Sequence, residues 1–343
     1  MPAAILKYTV VVSLLIARVS FGQAPGFASP SGKPEPAAVT GLYNWIHSTA
    51  DADRGWDFYR SVLNMQMASS PFGAAITPAG AAQPRPRAEG SQDPLVWDLT
   101  NTRGSRFRNV FMRIPGVDFG HELSEFSEID RRSIRANLWD SGATILILNV
   151  ANLDETLDRL KKAGGQIVTT GSKPVKLHGT RAVIVRDPDG CLLELIESPA
   201  PGAAIGLTVA NMENTRRFYE DLLGFKLQSP AGFENRAVKL AGLTRGEYRV
   251  SSALVPGTSI RLEFYEFRNI AGSAHPIRYR FQDPGAPQFQ FRVRDLDALI
   301  EEAKKRGVPF VSIGQKPIER PFGRFIFVTD PDGVFVEFVH PRK

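Results

Sequence analysis

The sequence predicts an α+β fold: two tandem domains, each of two βαβββ modules whose strands curl into a mixed-sheet cup with the helices outside. Three observations carry that expectation. RDPDGCLLELIE at 186–197 is answered by TDPDGVFVEFVH at 329–340, each a tight turn and then an apolar strand holding one carboxylate, Glu194 or Glu337. NLDETLDRLKKAGG at 152–165 matches DLDALIEEAKKRGV at 295–308, and KPVKLHGTR at 173–181 matches KPIERPFGR at 316–324, all at the spacing that separates the DPDG turns. One interval shared by separate features marks a duplication. FYRSVLNM at 58–65 and FYEDLLGF at 218–225 stand further apart, so the first copy carries an insertion.

The bulk properties are those of an ordinary globular chain. A length of 343 residues suits about two domains, and 43% hydrophobic against 23% charged residues allows real cores. The net charge of +6 comes from scattered Lys and Arg without a long basic run, which reads as a solvated surface and not as a nucleic-acid footprint. The single cysteine, Cys191, excludes an intrachain disulfide and a multi-cysteine metal site; just after a turn it reads as a small buried residue. At the N-terminus, MPAAILK and the apolar YTVVVSLLIARVSFG read as a signal peptide over 1–24, followed by a Pro/Gly/Ala/Ser-rich linker over 25–40. The expected location is therefore secreted or periplasmic, with no later segment apolar enough to span a bilayer.

The modules follow in order. GLYNWIHS opens the first, FYRSVL is its helix and FGHELSEF its close; ATILILNV, NLDETLDRLKKA and CLLELIE do the same in the second. The third runs from AIGLTVA to SIRLEFYEF and the fourth from QFQFRV to VFVEFV. Domain one is thus 41–198 and domain two 204–343. Gly164 and Gly307 follow Lys-rich last turns, where a left-handed residue ends a helix. The insertion, 69–94, is proline-rich and aperiodic, an excursion of the chain or a lid, with Trp97 beside it as a candidate for a pocket mouth.

Period-two alternation sorts the strand faces. In QFQFRV, Phe289, Phe291 and Val293 face the helices while Gln288, Gln290 and Arg292 face the cup. In VFVEFV the cup side is Phe335, Glu337 and Val339; in SIRLEFYEF it is Arg261, Glu263, Tyr265 and Phe267; in AIGLTV it is Ala204, Gly206 and Thr208. The first copy offers Asn44, Ser48, Glu122, Ser124 and Glu194 beside apolar Ile145 and Ile147, with His47 and His121 alternating away as structural or surface residues. A carboxylate on a half-buried sheet face is costly unless it is paired, hydrogen-bonded or metal-bound. Each module places one at the same strand position, which points to an inherited site.

The DPDGxxxE segments, the FYxxxLG-like helix and the DLD helix together resemble the vicinal oxygen chelate superfamily, which includes glyoxalase I, extradiol dioxygenases, fosfomycin resistance enzymes and bleomycin-resistance proteins. The resemblance implies one metal ligand from the opening and one from the closing strand of each module. Those positions are Asn44, Glu122, Ile145 and Glu194 in the first copy and Ala204, Glu263, Gln288 and Glu337 in the second. The expected metal set is Glu263, Gln288 and Glu337, with Asn44, Glu122 and Glu194 a weaker set in domain one. These oxygen donors favour a divalent ion of the Mg, Mn or Ca class ahead of Fe, Ni or Zn. No histidine stands at any of these positions, which disfavours the extradiol dioxygenases, whose iron takes two His and a Glu.

Glu337 and Glu263 are the expected catalytic carboxylates, and Arg292, Gln290, Tyr265, Arg324 and Arg181 the expected substrate contacts. Arg181 and Arg324 either clamp an anionic group or pair with acids of their own fold; Arg261 and Arg292 either meet substrate or neutralise Glu263 and Glu337. The expected function is small-molecule binding with a divalent-metal-dependent lyase or isomerase activity of the glyoxalase type; the alternative is a metal-free binder of the bleomycin-resistance kind. The expected partner is a small molecule, with no nucleic acid and no membrane after signal cleavage, in a monomer or homodimer.

Overall fold

A computed structural model describes residues 38–68, 89–177, 179–230 and 232–342. The expected signal peptide, nearly all of the linker and most of the insertion lie outside the described residues, among which no helix is long and apolar enough to cross a membrane.

The α+β class is observed. Module one contributes β1 (Val39–Thr49), α1 (Ala52–Leu63), α2 (Pro94–Thr100), β2 (Arg106–Arg113) and β3 (Gly120–Ser127). Module two contributes β4 (Thr144–Val150), α3 (Leu153–Lys162), β5 (Thr180–Arg186) and β6 (Leu192–Glu197). Module three has β7 (Ala203–Thr208), a helix α4 that runs Met212–Arg216 and widens to π geometry over Arg217–Leu222, β8 (Glu247–Leu254) and β9 (Arg261–Arg268). Module four has β10 (Pro287–Val293), α5 (Leu296–Lys305), β11 (Gly323–Thr329) and β12 (Phe335–Pro341). Short strands such as Gln66–Ala68, Gln166–Ile167 and Ile318–Arg320 extend the sheet edges.

Each opening strand turns into its helix through the same local device. Asp51, Asn152, Asn211 and Asp295 are extended N-cap residues whose side chains accept the first free helix amides. Gly164 and Gly307, with φ of 79° and 68°, take the left-handed turn expected of them. The helix-facing residues Phe289, Phe291, Leu262 and Phe264 join one apolar core with α1, α3, α4 and α5.

The modules do not share sheets in chain order. β1 pairs antiparallel with β10, so modules one and four form one sheet, ordered β11-β12-β10-β1-β3-β2. β4 pairs antiparallel with β7, so modules two and three form the other, ordered β8-β9-β7-β4-β6-β5. Within every module the opening and closing strands are parallel neighbours, which the helical crossover requires. Grouping the ligand candidates by sequence copy is therefore corrected: each cup takes one module from each copy.

The DPDG turns clasp the two modules of one copy together. Asp187 Oδ1 accepts the amides of Asp189 and Cys191, which closes the turn, and its Oδ2 accepts the Tyr59 hydroxyl of α1 at 2.8 Å. Asp330 does the same with Asp332, Val334 and Tyr219 of α4. The second aspartate of each turn accepts the backbone amide leading into the helix, Ala50 for Asp189 and Ala210 for Asp332. Sheet pairing and turn docking thus tie the four modules in two different pairings.

Candidate functional site

The four central strands of the first sheet supply the floor of its cup. The pairings set two adjacent rungs: Gly120, Asn44, Gln290 and Glu337 in one, Glu122, Ile46, Gln288 and Phe335 in the next. Asn44 Nδ2 donates to Gln290 Oε1 at 2.8 Å, and Gln290 Nε2 donates to Glu337 Oε2 at 2.7 Å. Gly120 makes room for this chain, because a Cβ there would come within 2.1 Å of Asn44 Oδ1. Gln288 Nε2 donates to Ser48 Oγ at 3.1 Å, which leaves ligation to its Oε1.

Glu122 is held differently. The local pseudo-symmetry puts Ile46 beside it where Gln290 stands beside Glu337, so no amide reaches across. Its Oε1 accepts long hydrogen bonds from Asn109 at 3.3 Å and Ser124 at 3.4 Å, and its Oε2 has no hydrogen-bond partner among the described residues. Burial pushes the Glu122 carboxyl up to about 8 against those two weak donors. Burial also pushes Glu337 up to about 8; Gln290 opposes the rise and the Glu122 charge adds to it.

These groups lie at the bottom of a cavity of about 920 Å³. Its walls are Phe107, Phe111, Phe281, Phe325 and Phe327, with half-exposed Phe322 at the mouth. Helix α2 closes one side with Val96, Leu99 and Thr100, and is tied to module four by Ser312 donating to the Leu99 carbonyl and Arg320 to Asp93. Arg108 and Arg320 reach the lining, but both are matched, by Glu125 and Asp53 and by Asp93 respectively. The arrangement is an apolar, aromatic chamber over two carboxyls and two amides.

The second cup differs. Ala237, Val238, Leu240, Ala241 and Leu243, between α4 and β8, pack with Ile145, Ile147 and Ala204 into one buried apolar cluster. Thr169 and Thr170 pin that segment by hydrogen bonds to the carbonyls of Lys239, Leu240 and Leu243. Glu263 is buried here, accepting from Tyr265 OH at 2.5 Å with Arg261 3.2 Å away. Gly206 lets the Tyr265 ring lie across β7, since a Cβ there would meet it at 2.4 Å.

The predicted set Glu263, Gln288 and Glu337 is thus divided: Glu263 lies in the second cup with Glu194, while Gln288 and Glu337 meet Asn44 and Glu122 in the first. The predicted catalytic pair Glu337 and Glu263 is divided with it, and Tyr265 goes with Glu263. Arg292 is exposed and holds the carbonyl and hydroxyl of Thr40 instead of Glu337. Arg181 binds Asp154 and approaches Glu197; Arg324 binds Asp297 through both terminal nitrogens and approaches Glu319, so both recurring arginines brace helices. Trp97 donates to the Ser105 carbonyl and is not among the cavity-lining residues. Sequence reasoning missed the aromatic wall from modules one and four, because only the cross-copy sheet brings those phenylalanines together.

In the first cup, Glu122, Gln288 and Glu337 offer oxygen ligands to a hard divalent cation, and the orphaned Glu122 Oε2 is the buried atom such an ion would satisfy. Asn44 Nδ2, by donating to Gln290 Oε1, positions Gln290 against Glu337, and leaves any ligation by Asn44 to its Oδ1.

A family model described as Glyoxalase/Bleomycin resistance protein/Dioxygenase superfamily matches residues 46–195 and 203–338. A lactoylglutathione lyase of Pseudomonas aeruginosa is 31% identical over 147 residues, 39% of this chain and 78% of that protein. A lactoylglutathione lyase of Arabidopsis thaliana is 28% identical over 127 residues, which is 36% of this chain and only 43% of that relative. Glyoxalase I from Zea mays shares the fold at a TM-score of 0.55 and 19% identity, over 87% of this chain and 92% of that one.

Proposed function

Since the chain belongs to the Glyoxalase/Bleomycin resistance protein/Dioxygenase superfamily, we propose that it binds a compact, largely apolar small molecule in the first cup and rearranges it with the help of a divalent metal ion. The observation that carries this reading is the pair of buried carboxyls, Glu122 and Glu337, on the floor of an aromatic-walled cavity, one with an oxygen left unsatisfied. Glu122, Gln288 and Glu337 would hold the ion. When bound, it supplies Lewis-acid polarisation of substrate oxygens and favours the ionised carboxylates. The remaining work falls to the chain itself. The phenylalanine walls bury the substrate body and exclude water, while Gln290, fixed by Asn44, steadies Glu337. Glu122, held only by two long hydrogen bonds, is the less restrained carboxyl and the group to carry a proton between adjacent substrate atoms.

The names of the relatives suggest lactoylglutathione lyase chemistry, an isomerisation-type lyase reaction. The matched charges of Arg108 and Arg320 offer little excess positive charge for a glutathione moiety, so we place the substrate among smaller or more aromatic compounds with two neighbouring oxygens. A metal-free binder is the second reading. It is favoured by the closed Asn44–Gln290–Glu337 chain, which satisfies one carboxyl without any ion. Export remains part of the proposal on the N-terminal pattern, to be checked by N-terminal sequencing of the mature protein.

The test is Mn²⁺ titration of the full chain followed by a turnover screen of α-oxo and α-hydroxy compounds, in wild type and Glu122→Gln. Stoichiometric Mn²⁺ and turnover that Glu122→Gln reduces by about 100-fold or more would support the enzyme. Ligand binding with neither Mn²⁺ nor turnover would replace it by the binder.

A further inference from the structure

On the opposite face of β1, away from the cup, a second set of metal-competent side chains converges in the core. A ring nitrogen of His47, a carboxylate oxygen of Asp187 and Cys191 Sγ all lie within 4.8 Å of one another. His47 and Asp187 are all but inaccessible to solvent and Cys191 is buried. His47 Nε2 stands 3.3 Å from Asp187 Oδ2 and 3.8 Å from Asp189 Oδ2, yet forms a hydrogen bond of good geometry with no described residue. Its other nitrogen, Nδ1, lies 3.1 Å from His121 Nε2 on β3. Either ring can be the donor of that contact; in the tautomer in which His47 Nδ1–H donates to His121, the lone pair of His47 Nε2 is turned toward the aspartate and the thiol.

The duplication provides an internal control. The docking of a DPDG turn on a helix tyrosine occurs twice, with Tyr59, Asp187 and Asp189 in one copy and Tyr219, Asp330 and Asp332 in the other. At the equivalent strand and turn positions, however, His47, His121 and Cys191 become Leu207, Leu262 and Val334, all buried and apolar. The second copy makes the same tyrosine–aspartate clasp with aliphatic side chains at those three positions. Two buried imidazoles and a thiol are therefore not needed for the docking, and placing polar rings in a core is costlier than placing leucine.

We propose that His47, Asp187 and Cys191, with Asp189 as the nearest fourth donor, form a structural site for a borderline transition-metal ion of the Zn²⁺ or Co²⁺ kind. Nitrogen, sulfur and oxygen donors select that class, whereas the all-oxygen cup selects harder ions. The ion would rivet β1 to the turn after β5 and is taken up as the chain folds, because the site is closed to solvent. This site does not depend on the function proposed for the cup.

The experiment is to produce the full chain in Co²⁺- or Zn²⁺-supplemented medium, dialyse it against excess Mg²⁺, and record metal content, the optical spectrum and the chelator dependence of Tm. Wild type is expected to keep about one ion per chain and to show a thiolate-to-Co²⁺ charge-transfer band. Cys191→Val is expected to lose the band, and His47→Leu with His121→Leu and Cys191→Val, the residues of the second copy, to lose the ion. Glu122→Gln with Glu337→Gln is expected to keep both, so the core site and the cup fail separately. Should the triple variant not fold, Cys191→Ser in the otherwise intact core still reports through the charge-transfer band. Absence of that band in wild type, or equal metal content in wild type and triple variant, overturns the proposal.

Discussion

At the scale of the residue, Glu122 and Glu337 set the chemistry of the first cup. Both fold with carboxyl pKa values near 8 against an ordinary 4.5. A raised carboxyl pKa means that the fold favours the protonated form. The stability these groups contribute is complete below about pH 4.5 and is lost as pH rises through about 8. Metal-free protein should therefore lose Tm as pH rises across that window, and Glu122→Gln with Glu337→Gln should flatten the loss; an equally steep profile in the double variant would count against these two groups. Ion binding must displace their protons, so Mn²⁺ affinity should rise with pH and level off above about pH 8, checked by calorimetry in buffers of different ionisation enthalpy. Alternation alone made Gln288, Gln290 and Glu337 legible as neighbours on one face. That Arg181 and Arg324 could pair with acids of their own fold was legible, but not which acids, because Asp154 and Asp297 come from helices whose rotation a strand pattern does not report.

At the scale of the element, the DPDG turns matter more as clasps than as signposts for the strand that follows. Tyr59→Phe and Tyr219→Phe each leave a buried aspartate short of a donor and should each cost about 1–3 kcal/mol in denaturant unfolding. A negligible cost in both would remove the clasp from the account. The segment carrying Leu240 fills the second cup, so Leu240→Ala should cost about 2–5 kcal/mol while Mn²⁺ binding in the first cup is unchanged. The four main helices were legible from the matched FYRSVLNM/FYEDLLGF and NLDETLDRLKKAGG/DLDALIEEAKKRGV segments, with Gly164 and Gly307 marking the ends of two of them. Helix α2 was missed because it adjoins the proline-rich insertion, although Asp93 followed by Pro94 is a helix-start signal. The plug was missed for lack of any strand or helix period over 235–243.

At the scale of the molecule, duplication revealed the modules but not their partners. A repeat interval states which modules follow one another in the chain; which opening strands pair depends on apolar faces meeting in three dimensions, and here β1 finds β10 and β4 finds β7. Chains cut between the two copies should each leave β1 or β10 without its neighbour, so Mn²⁺ binding should need both halves together; binding by either half alone would argue that each copy builds its own cup. The most direct measurement compares Mn²⁺ stoichiometry in the full chain for Glu122→Gln, Glu337→Gln, Glu194→Gln and Glu263→Gln. Loss in the first two with retention in the last two is the expected result. Loss in Glu263→Gln together with Glu337→Gln, while Glu122→Gln binds normally, would contradict a site shared between modules one and four.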